Sequence, residues 1–226
     1  MRRILAILLC LCFLPLPVRA AQPKYVALTF DDGPSGKYTR RLLEGLRDRG
    51  VKATFFLCGY RIQDYPDITR QIFEEGHEIG CHGYSHKDMQ RMSRRDIAAE
   101  IADTQALLPQ GCPVKLLRPP GGFCSDGIRQ VAEARQMAIL LWSVDPQDWA
   151  TKDTAAIETA VLKNIRDGDI VLLHDMSVSS VTAALDIVDS LLEDGFQIVT
   201  VSQLVRARNI RLKPGQVYTR FPPKKP

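Results

Sequence analysis

Seven short apolar runs punctuate the chain, at residues 25–30 (YVALTF), 51–57 (VKATFFL), 77–81 (HEIGC), 114–118 (VKLLR), 137–144 (MAILLWSV), 169–174 (DIVLLH) and 196–201 (FQIVTV). They are rich in β-branched and aromatic residues and apolar at nearly every position rather than every second one. Strands buried on both faces read this way. Helical spacing fills the intervals: 38–49, ending at Gly50; 66–75, ending at Gly76; a stretch that starts after Ser93; then 126–135, 153–165 and 180–193, with a short helix after the last run. Ser93 with Asp96 three residues on is an N-cap pair. Strand and helix alternation of this kind predicts a parallel sheet or barrel covered by helices, in one domain without repeats.

Right-handed crossovers bring all strand C-termini to one side, where an α/β barrel assembles its chemistry. The polar residues of this chain collect at those ends. The first run closes on Asp31 and Asp32, and the third on Cys81 and His82, with His86 four residues further on. The fourth ends at Arg118, before Pro119-Pro120-Gly121-Gly122; the fifth leads to Asp145, Asp148 and Trp149, and the sixth to His174 and Asp175. Of the four histidines only His77 lies at the opposite end of a run. Adjacent strand residues point to opposite faces, so both carboxylates enter one site only if the strand breaks, as Gly33-Pro34 predicts. His82 and His86 have the i, i+4 spacing that presents two imidazoles on one side of a turn. Two imidazoles and a carboxylate suit a divalent metal with positions left open for water. Arg118, reaching the second carboxylate, would keep it charged and oriented.

Each feature alone has a plainer reading. An HxxxH pair is more often capping, DDGP is a good helix start, and RPPGG is a stiff loop. Their coincidence at five strand ends favours a reaction centre.

The motifs TFDDGP (29–34), HGYSH (82–86), RPPGG (118–122), DPQDW (145–149) and LLH (172–174), with the phrases KATFFLCG and EEGHEIGCH, resemble the ordered motifs of NodB-type polysaccharide deacetylases, carbohydrate esterase family 4. The likeness covers residues 24–206. It implies an α/β fold, a distorted (β/α)7 barrel as a single catalytic domain, and removal of N-acetyl groups from an amino-sugar polymer, peptidoglycan N-acetylglucosamine first. Chitin oligomers and acetylated xylan are the alternative substrates. It further implies Asp31 as general base, Asp32, His82 and His86 as ligands of Zn²⁺ (or another divalent transition metal such as Co²⁺), and Arg118 orienting Asp31. Asp148 would tune His174, the general acid, with Gly121, Trp149 and Leu172 on the substrate side. Two departures stand out. Gly83 replaces the usual Ser or Thr after the first metal histidine, and Gly121 replaces a Tyr, so no aromatic ring is expected there. A hydrolase of small amides or acyl esters, and a silent carbohydrate-binding protein, are the competing functions for the same residues.

Charge and cysteine content refine this picture. Residues 1–20 (MRRILAILLCLCFLPLPVRA) have the charged start, apolar stretch and small-residue end of a signal peptide, which predicts a secreted or cell-surface protein, with an uncleaved anchor as the lesser reading. Without them the formal charge falls from +4 to +1, split between a body (21–205) at −6 and residues 206–226 at +7. The expected domain ends at 206, and 207–226 is expected as a solvated, basic, Pro-containing tail, with weak contact to an anionic surface as the functional alternative. The expected partner is a polysaccharide, without nucleic acid, and the expected state is a monomer. Cys58 and Cys81 end successive strands and form the first candidate disulfide, against a reading of four unpaired thiols.

Overall fold

The computed structural model describes residues 22–224; the predicted signal segment lies outside the described residues. Six parallel strands form the wall: β1 (Lys24–Asp31), β2 (Thr54–Leu57), β3 (Glu78–Cys81), β4 (Leu116–Leu117), β5 (Ala138–Leu140) and β6 (Ile170–His174). Their spatial order is β6-β1-β2-β3-β4-β5, and β7 (Phe196–Ile198) pairs with Lys24–Val26 at the start of β1. Around them lie α1 (Lys37–Asp48), α2 (Gly59–Asp64), α3 (Pro66–Glu74), α4 (Arg94–Ala106), α5 (Asp126–Ala134), α6 (Thr154–Leu162), α7 (Val178–Glu193) and α8 (Val201–Ala207).

Strand alternation sorts the apolar residues into two layers. Val26, Leu28 and Phe30 of β1 join Phe55, Ile139, Val171 and Leu173 in the larger cluster, where α1 contributes Leu42, Leu43 and Leu46 and α7 contributes Val181, Ile187 and Leu191. Ala27, Phe56, Leu116, Leu140 and Ile170 form a second cluster with Val201, Leu204 and Val205 of α8. α8 closes this inner core at the strands' N-terminal end. There Thr54 Oγ1 accepts the Val201 N–H at 3.0 Å, and Glu78 accepts the Ser202 N–H at 3.0 Å. This is the curled, helix-covered parallel sheet the sequence predicts.

Four local expectations need correction. The run 137–144 is strand only over Ala138–Leu140, because Arg118 takes the Leu140 and Leu141 carbonyls with its side chain, each at 2.9 Å. The backbone rejoins the wall at Val144, which bridges Val171 of β6. Residues 59–64, to which the sequence reading assigns no element, form α2. Cys58 and Cys81 are buried free thiols, as are the less buried Cys112 and Cys124. Burial raises the Cys81 pKa to about 11.

The fourth correction concerns the basic stretch. Residues after Ala207 fold back, adding β8 (Val217–Tyr218) in parallel beside β5. Arg220 then bridges Asp169, and the Phe221 N–H donates to Gly168 O at 2.7 Å. Phe221 is buried in the inner core. The tail thus spans from β5 to the start of β6, where the wall is splayed. Charge was a poor guide because Arg208 and Arg220 each meet an acid, Asp167 and Asp169, that belongs to the body. Among the described residues no helix is long and apolar enough to cross a membrane.

Candidate metal-binding and catalytic site

Register sets the frame of the mouth. Asp31 ends β1 directly beside His174 of β6 and opposite Phe56 of β2, while Arg118 donates its backbone N–H to Cys81 O at 2.9 Å. Ala27, Thr29 and Asp31 alternate inward, so the first carboxylate is buried. Arg118 Nη1 donates to its Oδ1 at 2.6 Å and to Thr29 Oγ1 at 2.8 Å. The fully buried guanidinium also lies over the Phe56 ring, 4.0 Å from its centroid. Four hydrogen bonds and an aromatic face offset the desolvation that otherwise makes a buried ion pair costly.

Asp32 turns out of the strand. Its φ of 71° lies in the left-handed region, which Asp tolerates better than most residues, and this rotates the second carboxylate toward the mouth. The strand break expected at Gly33-Pro34 therefore begins one residue earlier. Asp32 Oδ1 lies 3.3 Å from His82 Nε2 and 3.0 Å from His86 Nε2. Burial pushes the Asp32 carboxyl up, but the two imidazoles outweigh it and hold it well below the usual carboxylate range.

One ligand atom from each of Asp32, His82 and His86 lies within 4.8 Å of the other two. Asp32 Oδ1 is buried and has no hydrogen-bond partner despite its two nitrogen neighbours. A buried oxygen left without a hydrogen bond between two imidazole nitrogens is what a common ion would satisfy. His82 Nδ1 lies 2.7 Å from Arg118 O, so a proton there leaves Nε2 with a free lone pair. Two imidazoles and a carboxylate on three sides, with the mouth open, fit a divalent transition metal.

His174 stands on the other flank. Asp148 accepts its backbone N–H at 2.9 Å with Oδ2 and lies 2.8 Å from Nδ1 with Oδ1, which fixes the ring and leaves Nε2 facing the mouth, 4.0 Å from Asp32 Oδ2. Burial lowers the imidazole pKa, but the Asp148 hydrogen bond and charge, with Asp31 and Asp32 beyond, raise it on balance to about 9.

These groups open into a cavity of about 410 Å³ whose wall includes Gly121, Trp142, Trp149 and Leu172. All ten residues singled out from the sequence thus lie in or directly behind one mouth. One lining residue, Trp142, was not foreseen. Trp142 sits inside an apolar run, and its inward position follows only from counting alternation from Ala138 and Leu140. Phe123, outside the cavity lining, packs its ring beside Gly121. Gly121 has φ 70°, and a Cβ there would fall 2.8 Å from the Phe123 ring, so the ring leaves no room for a side chain at 121. It is 54% exposed.

The chain resembles known proteins in both sequence and fold. Residues 19–140 match the family model described as polysaccharide deacetylase. The chain is 38% identical over 192 residues to a peptidoglycan-N-acetylglucosamine deacetylase of Bacillus cereus, covering 82% of this chain and 90% of that protein. It is 37% identical over 190 residues to the peptidoglycan-N-acetylmuramic acid deacetylase PdaC of Bacillus subtilis, covering 83% of this chain but only 40% of PdaC. The solved PdaC structure superposes with a TM-score of 0.79 at 37% identity, over 83% of this chain and 92% of that one. A family 4 acetyl xylan esterase from Clostridium thermocellum, solved with a cobalt ion, gives 0.81 at 34% identity, over 88% and 100%.

Proposed function

The chain belongs to the polysaccharide deacetylase family, and on that premise we propose that it hydrolyses N-acetyl groups on an amino-sugar polymer, peptidoglycan N-acetylglucosamine first. The observation that carries this reading is the convergence of Asp32, His82 and His86 between an Arg-held carboxylate and an Asp-held imidazole. Relatives named for peptidoglycan support the polymer.

Asp32, His82 and His86 would hold the cation, Zn²⁺ by the donor set, with Co²⁺ a second candidate given the cobalt in the Clostridium esterase. When bound, such an ion supplies Lewis acidity toward the acetyl carbonyl and the attacking water. The remaining steps belong to the side chains. Asp31, aimed by Arg118, takes a proton as water oxygen bonds to the acetyl carbon. Gly121, on the cavity wall, offers a backbone N–H to the carbonyl oxygen. His174 Nε2–H then protonates the amide nitrogen as the C–N bond breaks, giving acetate and a free amine. A raised pKa keeps that proton in place at neutral pH. Trp149 and Leu172 would enclose the acetyl methyl. A location outside the cell accords with a wall polymer and with the leader-like first twenty residues.

Acetate release from peptidoglycan, chitin oligomers and acetylated xylan, with and without a chelator, tests the proposal. Release from peptidoglycan that stops on chelation is expected. Undiminished release after complete metal removal would refute the mechanism, and glycan binding without release would leave only a carbohydrate-binding protein.

A further inference from the structure

His82 and His86 are joined by a loop with no strand partner, and two of its residues, Gly83 (φ 81°) and His86 (φ 55°), are left-handed. Such a segment keeps its two imidazoles in register only if something outside holds it. One side is tied by α2, where Gly59 N–H donates to Gly83 O at 2.9 Å and Tyr60 N–H to Tyr84 O at 3.0 Å. The other side is tied by a single residue of α4. Glu100 Oε2 accepts the N–H groups of Tyr84 at 2.7 Å and Ser85 at 2.8 Å, and Oε1 accepts the Ser85 hydroxyl at 2.6 Å. A Cβ on Gly83 would lie 3.2 Å from Glu100 Oε2 and 2.7 Å from Met89 Cε. Glu100 and Met89 therefore fill the room that a hydroxyl-bearing residue at 83 would need.

We propose that Glu100 is a positioning residue for the metal site, holding residues 83–86 so that the His82 and His86 nitrogens stay at ligand separation in place of a hydroxyl at 83. This role rests on the reading of Asp32, His82 and His86 as metal ligands. Glu100 acts through acceptor geometry. A glutamine keeps all three contacts, with its amide oxygen under the two N–H groups and its NH₂ toward the Ser85 hydroxyl, whereas an alanine leaves both backbone donors without a partner.

The test is the Zn²⁺ dissociation constant of the full chain, by competition with a chromogenic chelator, with the absorption spectrum of the Co²⁺ form and the melting temperature of the metal-free form alongside. Glu100→Ala is expected to lose about 10–100-fold in Zn²⁺ affinity and to alter the Co²⁺ spectrum. Glu100→Gln should stay within about threefold of wild type, and Ser85→Ala should lose about threefold. Gly83→Ser supplies a hydroxyl at a strained, occupied position and should weaken binding rather than tighten it. Wild-type affinity in Glu100→Ala, or a Glu100→Gln variant as weak as Glu100→Ala, overturns the proposal. If Glu100→Ala does not fold, unchanged affinity in Ser85→Ala overturns it instead. A wild-type chain that binds no Zn²⁺ overturns the metal reading itself and the role of Glu100 with it.

Discussion

Arg118 and Trp149 serve the same mouth from opposite surroundings. The guanidinium is fully buried, with four hydrogen bonds to Asp31, Thr29 and two carbonyls at the end of β5. The indole is 68% exposed and lacks a side-chain hydrogen bond among the described residues. The buried His82 and the mostly buried His174 are each braced at the second nitrogen, while Phe123 is exposed like the indole. The deep groups are fixed before any substrate arrives, as groups meant to act on a transition state need to be. The rim groups gain contacts only when something enters. On the proposed mechanism, depth in the mouth is expected to separate residues that set turnover from residues that set affinity.

Variants at the two depths sharpen that separation. Asp31→Asn and His174→Ala are expected to lower kcat by roughly 10²–10⁴-fold while leaving KM little changed, since each removes one of the two proposed proton-transfer groups. Steady-state kinetics on a soluble acetylated oligomer reads this, and near-wild-type turnover in either variant would break the comparison. Arg118→Leu should cost about 3–5 kcal/mol of stability, because Asp31 is left buried without its partner. Denaturant unfolding measures it, and a loss below about 1 kcal/mol would mean that water reaches Asp31.

Asp148→Asn tests the brace on His174 through pH. The folded imidazole pKa is raised to about 9, chiefly by Asp148 acting against burial. Protonated His174 is thus present below that pH and lost above it, and the stability it contributes is likewise full below the unfolded value and lost through about 9. Replacing Asp148 should move the alkaline limb of activity toward neutrality. An unmoved limb would assign that titration to another group. The smallest effect is expected at the rim, where Phe123→Ala should raise KM for an oligomer about fivefold, about 1 kcal/mol, with kcat preserved. A fall in kcat instead would place Phe123 among the deep groups.

The sequence exposed the deep layer better than the rim. A buried charge must have a partner, so Asp31, Asp32, His82, Arg118 and His174 at the ends of apolar runs announced themselves. The strand positions were legible from the runs themselves, because short β-branched stretches that are apolar on both faces fit buried parallel strands and little else. Phe123 was hidden because its place depends on two left-handed glycines folding the loop back on itself. Glu100 was hidden because a carboxylate in the middle of a helix looks like any solvated charge until its loop partner is known. β8 escaped notice because two residues carry no periodicity, and Lys and Arg around them mask a buried Phe221.

That returning segment has a practical corollary. With Phe221 bonded to Gly168, and Gly168 in turn to Tyr25 O, both ends of the described polypeptide emerge at the foot of the barrel, remote from the mouth. Any anchor, tag or neighbouring module fused at either end would hang from the foot and leave the glycan entrance clear. A deletion that removed Phe221 would instead unseat the plug on which the inner core rests.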